Sequence, residues 1–271
     1  MTADAHVALC VDGAYAAAGA VAVATLARHF RPDVPLTVWV LHAGLTAAER
    51  RRFEAAMASA PAGELNLLRL PPELLDLPVR SDYITSATFG RLALARLLPP
   101  AATRILYLDA DTMVRGDLSE LFSLDLAGAT AGAVREPSDP FLWSRNGLQH
   151  VFDLGLDPWQ PYFNVGVLLL DAPAFRTARA EERCLEYLTA HRPDRMDQDA
   201  LNAVLHGAVL ELPARWNVEN YYFKTRARRE RYRTILADAC VLHYVGHRKP
   251  WNDPRVWLAG EWRRELRALD R

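Results

Sequence analysis

Ile105-Leu106-Tyr107-Leu108-Asp109-Ala110-Asp111-Thr112-Met113-Val114 runs four apolar residues straight into two carboxylates separated by one small residue. An apolar run without polar alternation is the pattern of a strand buried on both faces, and the acids mark a loop at its carboxyl end. Two carboxylates this close repel each other, and keeping both ionised at the mouth of a buried strand is costly unless a cation sits between them. Hard oxygen ligands suit Mg²⁺ or Mn²⁺, which usually bridge a few protein oxygens to substrate phosphates. The stretch therefore points to a metal–diphosphate site at the carboxyl end of a strand, where open α/β sheets bind ligands. An isolated D-x-D is more often a loop of solvated aspartates.

Upstream, His6 to Val11 reads as a buried strand, and Asp12-Gly13 turns the chain into an alanine-rich helix from about Tyr15 to Phe30. Leu36 to Leu41 alternates like a second strand, Thr46 and Glu49 form a capping box ahead of a helix to about Ser59, and Leu65 to Leu70 is a third strand. This β-α-β-α-β order implies a mostly parallel sheet. A helix is expected from about Thr88 to Leu98, closed by Pro99-Pro100.

Downstream come a short strand over Thr130 to Val134 and a stretch, Gly147 to Leu156, compatible with helix or loop. Tyr162 to Asp171 is a strongly apolar strand interrupted by Asn164, which needs hydrogen-bond partners, and Gly166, which suggests close backbone approach. An amphipathic helix is expected from Phe175 to Ala190, and a second opens on Met196-Asp197-Gln198-Asp199. The helix dipole accounts for the two acids there but not for the glutamine between them. Leu210 to Pro213 and Ala239 to Tyr244 read as strands, Trp216-Asn217-Val218 as a turn, and Arg255 to Ala268 as a final helix rich in tryptophan and arginine.

With 271 residues, 51% of them hydrophobic, the chain can bury a large core. Thirty-two basic against thirty-three acidic residues give a net charge of −1, which argues against a nucleic-acid partner. Cys10, Cys184 and Cys240 lack metal-ligand spacing and read as buried thiols of a reducing compartment. The apolar segment Ala14 to Ala27 lacks the basic flank of a signal sequence, so a cytoplasmic location is expected. Only Lys224 and Lys249 are lysines among the basic residues, which singles both out.

Four motifs, Leu108-Asp109-Ala110-Asp111, Phe163-Asn164-Val165-Gly166-Val167, Asp197-Gln198-Asp199, and His243-Tyr244-Val245-Gly246 leading to Lys249-Pro250-Trp251, stand in the order found in family 8 glycosyltransferases. The chain resembles the bacterial galactosyl- and glucosyltransferases of lipopolysaccharide synthesis and their glycogenin relatives from its first strand to Trp251. That resemblance implies a GT-A fold: a Rossmann-like, mixed, mostly parallel sheet flanked by helices in a single domain. Residues 1–254 would form the transferase domain and 255–271 a C-terminal amphipathic helix. It implies a retaining, metal-dependent hexosyltransferase that uses a UDP-sugar, glucose or galactose, with Mn²⁺, or Mg²⁺ in its place.

Carried over by motif, Asp109, Asp111 and His243 look like the metal ligands. Asp12, Tyr15, Arg91, Ala110, Gly246 and Lys249 join the two aspartates as donor-binding residues, with Gly246 and Lys249 in a phosphate-binding turn. Asn164, Asp197 and Gln198 match residues around the transferred sugar. Retaining glycosidases place a carboxylate nucleophile where this chain has the amide of Gln198. An attack by the acceptor on the leaving group's own face is therefore favoured, with Asp197 or Asp199 as nucleophile the competing route. Two departures stand out: Val11-Asp12-Gly13-Ala14-Tyr15 lacks the consecutive acids common in relatives, and Glu136 stands where aspartate is common. The acceptor, whether glycan, lipid-linked sugar or small molecule, is not written in these motifs. A nucleotide-sugar hydrolase and a non-catalytic sugar-nucleotide-binding module are the rival readings. The last helix, with Trp257, Trp262, Arg263, Arg264 and Arg267, could lie on the inner face of a membrane or pack on the domain, and packing is favoured.

Overall fold

The computed structural model describes residues 4–31, 33–60, 62–79 and 84–271. In chain order the strands are β1 Ala5–Val11, β2 Leu36–His42, β3 Glu64–Arg69, β4 Arg104–Leu108, β5 Thr112–Val114, β6 Ala131–Arg135, β7 Phe163–Asp171, β8 Val209–Leu212, β9 Val218–Glu219 and β10 Val241–His243. Seven of them form a sheet in the order β3-β2-β1-β4-β7-β6-β8, and β5-β10-β9 form a second, small one. The first four of the large sheet run parallel, β7 is antiparallel to both β4 and β6, and β8 is parallel to β6.

The central strands are apolar throughout because both faces of the large sheet are covered. Along β4, Ile105 and Tyr107 enter one buried cluster while Leu106 and Leu108 enter the other, and Leu168 and Leu170 alternate with Val167 and Leu169 along β7 in the same way. Helix α1, Ala16–His29, covers one face beside α2, Ala47–Ala56, whose Thr46–Glu49 capping box is formed as the sequence indicates.

Three local expectations change. The segment after Thr85 is a 3-10 helix over Ser86–Ala93 followed by one α-turn, Leu94–Leu97. Three residues per turn put Thr88 and Arg91 on one edge, both toward the cleft. The helix expected over Phe175 to Ala190 is two, Ala172–Thr177 and Ala180–His191, broken at Arg179 in the left-handed region (φ 50). The last helix is Ala259–Leu269, starting after Leu258 at φ 61. Its Trp262, 1% exposed, packs with Met113, Leu242 and Tyr244, and the partly buried Trp257 lies against Phe223. Ion pairs from Arg28 to Glu265 and from Arg115 to Glu261 add polar contacts, each worth under about 1 kcal/mol. No helix among the described residues is long and apolar enough to cross a membrane.

Candidate active site

The small sheet brings the sequence-distant ligand candidates together. Strand β10 pairs antiparallel with β5, setting His243 opposite Thr112, and Tyr244 N–H donates to the Asp111 carbonyl at 3.0 Å. Asp109 lies on the turn between β4 and β5, tied to β7 by its N–H on the Gly166 carbonyl at 2.7 Å. One ligand atom each of Asp109, Asp111 and His243 lies within 4.8 Å of the others. His243 Nε2 is 3.2 Å from Asp111 Oδ1 and 3.5 Å from Asp109 Oδ2. A side chain at Gly166 would collide with the His243 ring and with Asp109 Oδ2, so only glycine leaves this floor open.

The second oxygen of each aspartate is held by a cation. Asp109 Oδ1 accepts from Arg91 at 2.7 Å and from the Tyr107 hydroxyl at 2.8 Å, while Asp111 Oδ2 pairs with the Lys249 ammonium. Lys249 also donates to the Tyr244 carbonyl at 2.7 Å and is buried, so it is engaged with the aspartate rather than standing open in a turn. Burial would raise the Asp111 carboxyl, but the adjacent Lys249 and His243 outweigh it and hold it below the usual carboxylate range. Two hard oxygens and an imidazole nitrogen converging over a glycine floor fit a divalent cation, Mn²⁺ better than Mg²⁺.

Arg91 organises the neighbouring wall. Besides Asp109 it pairs through Nε with Asp197 at 2.7 Å, donates to the Val165 carbonyl at 2.9 Å and stacks over Tyr107 at 4.5 Å. Asp197 also accepts from Thr88 at 3.2 Å, and burial lifts its carboxyl to about 6 despite the arginine. Gln198 faces the cavity, its Nε2 donating to the Tyr162 hydroxyl at 3.2 Å and its Oε1 accepting from Val165 N–H at 3.4 Å. Asp199 is 1% exposed, does not line the cavity, and has both oxygens engaged, by Tyr162 at 2.5 Å and by Arg195 N–H at 3.1 Å. Met196, just before this triplet, has φ 43, a strained conformation for a residue with a side chain.

These groups line a cavity of about 1010 Å³ that also takes in Asp12, Tyr15, Ala110, Asn164 and Gly246. Such a volume is at the upper end for small-molecule sites. The residues expected from the sequence to bind metal, donor and sugar thus share one cavity, whereas Asp199, the other candidate nucleophile, does not line it. Asp12 has a local duty as well, its Oδ1 accepting from Tyr15 N–H at 3.1 Å, and Gly246 takes φ 84, which favours glycine.

Two further acids line the cavity, Glu136, noted from the sequence, and Glu219, for which no motif gave a signal. Glu136, in the place where aspartate is common, accepts from Asn164 Nδ2 and Arg195, each at 3.4 Å, and from Ser138 at 2.8 Å. Glu219, from the two-residue strand β9 beside His243, is 4% exposed with Oε1 lacking a partner. Burial, with the Glu136 charge next, pushes the Glu219 carboxyl well above its ordinary value. A raised folded value means that its contribution to stability is present below the unfolded value and lost as pH rises through the folded one. Glu219→Gln, which never ionises, should therefore gain stability over the native chain as pH rises. We expect equal Tm near pH 4 and a gain of about 2–4 °C at pH 8, the shift for 1 kcal/mol in a chain of this size. The same gain at both pH values would show that Glu219 is not kept in its acid form.

The family model for glycosyl transferase family 8 matches residues 6–254. General stress protein A of Bacillus subtilis is 27% identical over 259 residues, covering 91% of this chain and 87% of that protein. Lipopolysaccharide 1,2-glucosyltransferase of Escherichia coli is 32% identical over 208 residues, and the match spans 73% of this chain but only 59% of that enzyme. Among solved structures, the galactosyltransferase LgtC in complex with donor and acceptor sugar analogs superposes with a TM-score of 0.79 at 27% identity, covering 98% of this chain and 96% of that one. A second LgtC structure, of a glutamine-to-glutamate active-site mutant, gives a TM-score of 0.80 at 27% identity over 97% and 95% of the two chains.

Proposed function

The chain belongs to glycosyl transferase family 8, and from that premise we propose that it moves a hexose, glucose or galactose, from a UDP-sugar to an acceptor hydroxyl with retention and with Mn²⁺ bound. The observation that carries this reading is the pair of aspartate oxygens directed at His243 Nε2 on the cavity floor. A divalent cation held by Asp109, Asp111 and His243 would offset the charge developing on the departing diphosphate. Lys249 would leave Asp111 for a phosphate oxygen, and Asp12 and Tyr15, at the far end of β1, would face the uridine.

On the sugar side, Asn164, Asp197 and Gln198 would bind and orient the hexose. The carboxylate of Asp197 is engaged by Arg91 and Thr88, which makes it a poor nucleophile and favours direct attack by the acceptor. The bond from the anomeric carbon to the phosphate oxygen breaks as the acceptor oxygen bonds on the same face. The acceptor proton passes to the departing phosphate, releasing UDP. Gln198 Oε1 would stabilise positive charge at the anomeric carbon. The LgtC active-site mutant at a glutamine supports a role for such an amide.

The acceptor could be a glycan, a lipid-linked sugar or a small molecule. Incubation with UDP-glucose or UDP-galactose, Mn²⁺ and a panel of alkyl glycosides, with NMR of the products, tests the reading. We expect α-linked product from an α-linked donor, and Gln198→Ala should slow turnover about 10²-fold with a smaller change in donor affinity. A β-linked product would overturn retention. UDP release that no acceptor accelerates would indicate a hydrolase, and donor binding without turnover a binding module.

A further inference from the structure

Asn217 is fully buried between the metal-ligand histidine and Asn164, and no motif points to it. It follows the 3-10 turn Ala214–Trp216, its N–H donating to the Ala214 carbonyl at 3.0 Å, and it precedes β9. Its Oδ1 is 3.0 Å from His243 Nδ1, and its Nδ2 is 2.9 Å from Asn164 Oδ1.

The orientation of both amides can be derived from a donor that has no alternative. Gly166 N–H lies 2.9 Å from the Asn164 side chain, and a backbone N–H can only donate, so the facing atom is the Asn164 oxygen. That oxygen can only accept, so the Asn217 atom 2.9 Å away is its NH₂ group. The remaining Asn217 atom, toward the histidine, is then the carbonyl oxygen, which also only accepts. His243 Nδ1 must therefore carry a hydrogen, which leaves Nε2, the nitrogen toward Asp109 and Asp111, as the one whose lone pair a cation would take up.

We propose that Asn217 is a positioning residue with two outputs. It fixes the His243 tautomer so that Nε2 is the cation-binding nitrogen, and through the same amide it locks Asn164 on the sugar side. The inference rests on the reading of His243 as a metal ligand. One buried amide thus couples the diphosphate end of the cavity to the hexose end. A neutral partner on the outer nitrogen of a metal-bound histidine is typically worth 10–100-fold in metal affinity or activity.

Two substitutions separate the outputs. Asn217→Ala removes both, so Mn²⁺ affinity measured by EPR without substrate should fall about 10–100-fold. Asn217→Asp keeps an acceptor for Nδ1–H but sets an oxygen against Asn164 Oδ1. It should hold Mn²⁺ within about threefold of the native value while turnover falls tenfold or more, the lower bound for such outer partners. Nitrogen-15 NMR of the unsubstituted, metal-free protein at pH 8 needs no variant, and it should report His243 protonated at Nδ1. An Nδ1 without a hydrogen, or Asn217→Ala binding Mn²⁺ as tightly as the native chain, would overturn the inference. No Mn²⁺ binding by the native protein would instead remove the metal-site reading beneath it.

Discussion

Replacing Arg91 with leucine is expected to cost about 3–5 kcal/mol of folding stability, the range for removing one partner of a buried ion pair. The guanidinium is 6% exposed and neutralises Asp109 and Asp197 at 2.7 Å each, while it also donates to the Val165 carbonyl at 2.9 Å and the Thr88 hydroxyl at 2.7 Å. Leucine fills much of the volume but leaves two carboxylates and a carbonyl in the cavity wall without their donor. The loss therefore comes from stranded partners more than from lost packing. Asp197 starts from a carboxyl already lifted to about 6 by burial, so without the arginine it should bind a proton at neutral pH. Converting Asp197 to leucine in the same chain removes one of the stranded groups and should recover part of the loss. Denaturant melts of the two single variants and the double would measure this. A cost below about 1 kcal/mol for Arg91→Leu would place it in the range of surface pairs and refute its role as the wall's organiser.

The second large effect is at Asp111. Asp111→Asn keeps the shape but removes a charge from the proposed cation site and leaves the buried Lys249 without its counter-ion. We expect turnover to fall by about 10³-fold, the loss seen when a major electrostatic stabiliser of a transition state is removed. Mn²⁺-dependent UDP binding should be lost with it. Lys249 and a cation compete for the same carboxylate, so stripping the metal from the native protein should return the lysine to Asp111 and leave the fold intact. A variant that retains a tenth or more of native turnover would exclude Asp111 from the site.

Much of this site was legible because its chemistry is carried by short runs with a strong local signal. The apolar strand ending in Asp109 and Asp111, the amide and glycine inside β7, and the glutamine between two acids at a helix start each break a local pattern, and each lines the cavity or shapes its floor. The parallel half of the sheet was legible for a related reason, since long apolar strands alternating with helices permit few topologies. Of the small sheet only β10 was legible, inside the strand expected over Ala239 to Tyr244; its pairing was not. Strands β5, β9 and β10 have two or three residues each, too few for a hydrophobic period, and they exist because they pair with one another and cover Trp262. Asn217 and Glu219 sit on that sheet or at its edge, so their roles were hidden with it. The break at Arg179 was also invisible, because the helical apolar period continues across Ala178 and Arg179 while the backbone does not.

Isothermal titration of UDP into the native protein, once with Mn²⁺ and once with EDTA, tests the metal–diphosphate site most directly. With Asp109, Asp111 and His243 holding a cation that the diphosphate completes, UDP should bind at least about 100-fold more tightly in Mn²⁺, a difference of about 2.7 kcal/mol. Equal UDP affinity in Mn²⁺ and in EDTA would contradict it.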